Sequence, residues 1–297
     1  NDGSLDLYLS HLNGDNVLFR NLGDGTFVNL ADTAGVIEPY VSFPTWFWDY
    51  DNDGWQDIFV AGFDMAELSD MAAVHLDLPF GAEHPRLYRN RGDGTFEDVA
   101  AQVGLDCYFG TGMPDMRTLL PNRMFRNDGG QRFQDVTASG GFGSLQKGHG
   151  ISFGDLDNDG DQDIHQVLGA AFEGDVYENV LLENPGHGNH WLTLYMEGVR
   201  SNRDAIGARL RVRVDSESAG ERDVYATVGT GGSFGSSPLR QEIGLGDAVA
   251  IALVEVTWPA TGIVQVFESL ELDRAYRLRE SVLLATEVAL SRFHLSP

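Results

Sequence analysis

Disulfides are excluded at once: the chain of 297 residues holds a single cysteine, Cys107, so no internal bridge can form. Basic residues are scarce. Twenty Lys and Arg stand against 45 Asp and Glu, and the resulting formal charge of −25 argues against nucleic acid or an anionic membrane surface as partner. No apolar run approaches the ~20 residues of a membrane span. The common catalytic signatures are also missing: there is no Gly-x-Ser-x-Gly elbow, Walker loop, His-Glu-x-x-His or Cys-x-x-Cys. Cys107 has no base near it in sequence that would make it a nucleophile. What remains is 42% hydrophobic, enough for a folded protein of one or two domains.

What the chain has in quantity is aspartate at fixed spacing. Asp155-Leu156-Asp157-Asn158-Asp159-Gly160-Asp161-Gln162-Asp163 places carboxylates at loop positions 1, 3, 5 and 9 and glycine at position 6, where a sharp reversal needs positive φ. Asp49-Tyr50-Asp51-Asn52-Asp53-Gly54-Trp55-Gln56-Asp57 repeats the pattern. Carboxylates folded inward repel one another unless a hard cation lies between them. Calcium accepts six to eight oxygens, so four Asp, the position-7 carbonyl of Trp55 or Asp161 and water would complete its shell. An EF-hand would close with Glu at position 12, but Val60 and Gln166 stand there. The flanks are aromatic and β-branched, hence strands. The competing reading is a metal-free Asn/Asp/Gly hairpin. The opening residues match positions 5 and 9 of the same loop with Asp2 and Asp6, a partial site. Positions 1 and 3 would lie upstream of residue 1, so the chain is expected to lack its native start.

A second signature follows each loop. Asn16 to Phe27 ends in Gly23-Asp24-Gly25-Thr26-Phe27, and it returns as Gly92-Asp93-Gly94-Thr95-Phe96, altered around Asp128-Gly129-Gly130 and degraded at Asn184-Pro185-Gly186. Asp-Gly between apolar runs is a strong hairpin signal. Each unit reads strand, metal loop, strand, variable loop, strand, turn, strand, which is the mark of a propeller blade. The unit at residues 97–136 has the hairpin but no acidic loop. An insertion at 64–81 carries apolar residues that suit local packing, a lid or a partner contact. From His190 the runs alternate as half-buried strands without metal loops, after the linker 184–189. The expected fold is all-β: a partial β-propeller over 1–188, a small C-terminal β-domain over 189–280, and a tail or short helix over 281–297.

Together these residues resemble the FG-GAP or VCBS repeats of integrin-α-like propellers, followed by an ASPIC/UnbV domain, an arrangement similar to the cartilage acidic protein family. The Asp loops and the Asn-x-Gly-Asp-Gly-Thr-Phe hairpins carry the first part. Asn202-Arg203-Asp204-Ala205-Ile206-Gly207, Ile243-Gly244-Leu245-Gly246 and Val256-Thr257-Trp258-Pro259 carry the second. Such propellers usually close with seven blades, whereas four at most are here, so an upstream segment or another chain is expected to complete the ring.

Two histidines replace aromatic residues in one unit only: His149 stands where the other copy has Phe43, and His165 where it has Phe59. His149 is expected about four residues along the strand from the partner of His165, too far for one metal to join both. A packing histidine is the plain alternative; His187 and His190, in the Gly-rich linker, read as solvated there, with a transition metal or a substrate as the alternative. Calcium loops of this kind fill at extracellular concentrations, which points to a secreted, periplasmic or cell-surface protein. Its expected role is a binding or adhesion module for an extracellular protein or glycan. The alternative is a metal-assisted enzyme centred on His149 and His165.

Overall fold

The computed structural model describes residues 4–62, 73, 78, 83–105, 121–146, 148–169, 173–174, 176–229, 231 and 235–294. Asp2, Cys107 and all of the 64–81 insertion except residues 73 and 78 lie outside these. The chain is nearly all β, and among the described residues the principal elements include one short helix, Ala31–Ala34. Among the described residues no helix is long and apolar enough to cross a membrane.

The repeats form separate small antiparallel sheets. The first joins β1 (Leu7–Leu9), β2 (Val17–Asn21) and β3 (Phe27–Asn29). The second has the full four strands, β4 (Ser42–Trp48), β5 (Asp57–Gly62), β6 (Arg86–Asn90) and β7 (Phe96–Asp98), in that spatial order. The third shows only the hairpin of β8 (Phe125–Asn127) and β9 (Phe133–Asp135). The fourth joins β10 (Gly148–Gly154), β11 (Asp163–Leu168) and β12 (Val180–Leu182). The four-strand pattern expected of every unit is therefore complete only in the second among the described residues. At Asn184-Pro185-Gly186 the chain does not turn back into a fourth strand but leaves for the C-terminal sheets.

β5 explains how neighbouring units hold together. All six of its residues are buried, because both faces are covered. Ile58 and Val60 pack with Tyr8, Leu18, Ala34 and Val36 of the first unit. Phe59 and Ala61 point the other way, into a cluster with Leu87, Val99 and Phe133. Period-2 alternation thus welds one unit to the unit on each side.

Beyond the linker, β13 (His190–Glu197), β16 (Gln241–Gly246), β19 (Arg274–Arg279) and β20 (Thr286–Val288) form one sheet in the order β16-β13-β19-β20. β14 (Arg209–Ser216), β15 (Gly220–Thr227), β17 (Ala248–Thr257) and β18 (Val264–Phe267) form another, in the order β15-β14-β17-β18. Leu192, Leu194, Leu210, Val212, Val254, Val256, Trp258 and Leu278 share one core. On β14 the intervening arginines turn outward to acids on adjoining strands: Arg213 pairs with Asp223 at 2.8 Å and Arg211 with Glu255 at 2.8 Å. The spacing over 281–294 allowed a short helix. The described chain instead runs extended, and β20 pairs with β19 through Ala275, Tyr276 and Arg277.

One buried acid ties this core to its connections. Glu280 is 1% exposed. Its carboxylate accepts the N–H groups of Val199, Arg200 and Ser201 and the hydroxyls of Ser201 and Thr261. Burial opposes its ionisation, but these donors overcome it and draw the carboxyl down to about 2. Its stabilisation is therefore full above the ordinary glutamate range and fades as pH falls toward 2. Glu280→Gln puts an amide among donors, and denaturant unfolding at pH 7 should show a loss of about 2–4 kcal/mol. The gap between variant and parent should narrow as the pH is lowered below 4.

Candidate metal centres

The two acidic loops fold by the same internal hydrogen bonds. In the first, Asp49 accepts the N–H of Asp53 at 3.0 Å and that of Gly54 at 2.8 Å. In the second, Asp155 accepts those of Asp159 at 3.0 Å and Gly160 at 3.1 Å. The reversal needs positive φ twice, at Asn52 (57°) and Gly54 (88°), and again at Asn158 (60°) and Gly160 (104°). Asn tolerates that region better than most residues.

Position 9 belongs to the frame, and in the first loop to the cluster as well. Asp57 accepts the N–H of Tyr50 and of Asn90, at 3.0 and 2.8 Å, and Asp163 accepts those of Leu156 and Asn184, at 3.0 and 2.9 Å. Asp6 likewise accepts the N–H of Asn21 at 2.9 Å. The same asparagines donate their side-chain amides to the loop backbone, Asn21 to Leu5, Asn90 to Gln56 and Asn184 to Gln162. The second signature thus clamps the first from the neighbouring strand.

Within this frame three carboxylates converge in each loop. Asp49, Asp51 and Asp57 each offer an oxygen within 4.8 Å of the others, and Asp155, Asp157 and Asp159 do the same. Asp53 stands apart: it accepts the N–H of Trp55 at 2.8 Å and lies 3.7 Å from Arg89. Asp163 is committed to its frame bonds. Position 7 is Trp55 in the first loop, where only the backbone carbonyl could serve a cation, and Asp161 in the second. Asp51 carries the most pointed observation. Its side chain is 12% exposed, one oxygen meets Arg89 at 2.9 Å, and the other, Oδ1, is buried without any hydrogen-bond donor. A buried carboxylate oxygen without a donor is costly, and an all-oxygen set of this kind suits a hard cation.

Burial, then the neighbouring acids, make these groups hard to ionise. Asp49 is pushed up to about 6 and Asp57 to about 7, chiefly by burial, and Asp51 is raised by burial and by the charge of Asp53. In the second loop Asp155, Asp157 and Asp161 are raised, again first by burial.

The contacts of the loops with the C-terminal sheets were not legible as such. Asn52 donates its amide to the Asp223 carbonyl at 2.7 Å and accepts the Tyr225 N–H at 2.8 Å, so it docks on strand β15. Arg209 donates to the Gly54 carbonyl at 2.6 Å, and the Tyr225 ring lies over Gly54. In the second loop a side chain at Gly160 would overlap the Trp191 indole. The only sequence signal was the recurrence of Asn at position 4 and Gly at position 6.

Among the described residues the histidines join no group of three or more potential metal ligands. His149 is exposed on β10 and His165 is half-buried on β11. The cross-strand partner of His165 is Ser152, three residues from His149 rather than four, beyond an irregularity between Gly148 and Ile151. Neither belongs to a metal-capable group among the described residues. His190 Nδ1 meets Asp273 at 2.8 Å.

FG-GAP-like repeats match residues 1–60, 49–114 and 105–165, which is more than half of the chain and includes both acidic loops. The chain belongs to the FG-GAP-like repeat family. In this FG-GAP-like chain the repeats are followed by an ASPIC and UnbV match over residues 198–283, which covers most of the two C-terminal sheets. No curated protein matches the chain. The family fits the small antiparallel sheets of a β-propeller-like fold, although the described sheets do not close on one another.

A pH dependence follows from the raised carboxyls of Asp49 and Asp57. Their folded-state values lie above the ordinary aspartate range, so their stabilisation is full below that range and is lost as pH rises through about 6 to 7. In chelator, the melting temperature should therefore fall between pH 5 and pH 8, as followed by circular dichroism. Asp57→Asn should flatten that slope.

Proposed function

We propose that this chain is an extracellular calcium-binding, β-propeller-type module that serves protein or glycan binding or adhesion. The observation that carries the calcium reading is the buried Oδ1 of Asp51, which has no donor and lies among two further carboxylates. Asp49, Asp51 and Asp57 would hold the first ion with the Trp55 carbonyl, and Asp53 at its edge. Asp155, Asp157 and Asp159 would hold the second with the Asp161 carbonyl, Asp163 bracing the loop. Asp2 and Asp6 would belong to a partial third site. FG-GAP-like membership supports the same cation. A cation between the acids would remove their mutual repulsion and fix the end of each unit. It would take no part in bond breaking.

Binding is the reading we favour over catalysis; among the described residues neither His149 nor His165 joins a group of three or more potential metal ligands. A cavity of about 540 Å³ lies where the first two units meet the C-terminal sheets, with Leu5, Phe47 and Trp55 beside Arg20, Asp93 and Arg209. Its size suits a ligand, and Trp55 joins it to the first acidic loop. Loops that fill at millimolar calcium suit a secreted, periplasmic or cell-surface setting.

The two loops should differ in strength. Arg89 already meets Asp51 at 2.9 Å and would repel a bound dication, whereas the corresponding residue of the fourth unit is Glu183. Calorimetric titration of the metal-stripped protein should show two calcium sites in roughly the 10⁻⁴–10⁻³ M range, the second loop filling first. Asp51→Asn should delete the weaker site and Asp157→Asn the stronger. Calcium at ~10 times the dissociation constant should stabilise the fold by about 1.4 kcal/mol per site. Absence of heat, together with a melting temperature indifferent to chelator, would end the calcium reading.

A further inference from the structure

The segment after β20 is strapped across the second acidic loop. The Phe293 N–H donates to the Asp157 carbonyl at 3.1 Å, the Asn158 amide donates to the Ser291 carbonyl at 3.0 Å, and the Arg292 guanidinium donates to the Asp159 carbonyl at 2.9 Å. Three successive residues of the segment thus meet three successive residues of the loop. Little else fastens this part of the chain: β20 pairs over three residues, and the preceding Leu283 and Leu284 are 77% and 80% exposed.

The loop residues that receive the strap are two-sided. Asp157 and Asp159 turn their carboxylates into the acidic cluster and their carbonyls out to the strap. Asn158, held at positive φ, sends its amide outward between them. The carbonyls that meet Arg292 and Phe293 thus belong to the same two residues whose carboxylates face the acidic cluster, and Asn158, whose amide meets Ser291, stands between them. In the first loop the equivalent Asn52 engages β15 instead, inside a four-stranded sheet that is stable on other grounds.

The geometry points to a calcium-dependent latch: residues 291–293 dock on the second loop when it holds calcium and are released when it does not. This rests on the calcium reading above. Linkage makes the coupling reciprocal, so the docked strap raises calcium affinity at the second loop by the factor by which calcium favours docking. Couplings between sites commonly amount to ~5–150-fold, and three surface hydrogen bonds place this one at about 5–10-fold. The first loop is outside the coupling.

Calcium titration of the full chain tests the latch, with the loops separated by Asp51→Asn, which leaves the second loop, and Asp157→Asn, which leaves the first. Into each background go Arg292→Ala with Phe293→Pro, which removes two of the strap's donors. Asn158→Gly removes the third contact while keeping the left-handed backbone. Amide exchange at Phe293 is read in calcium and in chelator. The latch predicts a second-loop affinity about 5–10-fold weaker in the strap variants, an unchanged first loop, and a Phe293 amide that is slow to exchange only with calcium. No calcium binding at the second loop of the unaltered strap would bring down the calcium reading and the latch with it. Normal binding there, with an affinity the strap variants leave untouched or a Phe293 exchange rate indifferent to chelator, overturns the latch alone.

Discussion

Like charges drawn together in a half-dry loop are the constraint on which the rest of this molecule depends. Three carboxylates within 4.8 Å of one another are unfavourable unless they are protonated or share a cation, and burial strengthens both their repulsion and their response to a counter-ion. Each loop is nevertheless held in shape by its own backbone N–H groups and by an asparagine from the neighbouring strand. The protein has built a rigid frame around an unfavourable arrangement of charge. Such an arrangement persists where the surroundings over-determine it, and here the frame itself is repeated in sequence.

The repeat is therefore a unit of hydrogen bonding as much as of hydrophobic pattern. In each case the position-9 aspartate reaches across to the N–H of the Arg-Asn or Glu-Asn pair on the following strand, and the asparagine returns the bond to the loop. Hydrophobic alternation along β5 then joins units face to face. The unit lacking an acidic loop still contributes its hairpin: Asn127 donates to the Tyr50 carbonyl at 2.6 Å, and Gly130 leaves room for Asp51. Its turn thereby closes over the loop of the unit before it.

Much of this was legible in the residues. Aspartate spacing and Asp-Gly turns identified both loops, their flanking strands and the positive φ at Gly54 and Gly160, because those features are local. Alternation in Leu210-Arg211-Val212-Arg213-Val214 announced the β14 core face for the same reason. What could not be read was long-range. Nothing in the string Asn52 or Asn158 says which distant segment its amide will meet, and Glu280 gives no hint of the three N–H groups that gather on it. The segment 281–294 shows how weak periodicity misleads: spacing compatible with a helix was overridden by an available sheet edge at β19. The histidines were singled out by comparison between copies, but substitution of an aromatic by histidine marks only a change of packing until partners are seen around it.

The grip of Asn52 on β15 carries one more consequence. β15 is the outer strand of its sheet, and an outer strand offers unpaired N–H and C=O groups to any other chain. The asparagine amide satisfies one carbonyl and one N–H there, as a neighbouring strand would, and so acts as a guard against self-association. That guard is only as firm as the loop that presents it. Colloidal behaviour is in this way tied to loop chemistry: whatever relaxes the acidic loop also bares a template for intermolecular sheet growth, and an acidic protein protected by its charge would lose a second, local protection at the same moment.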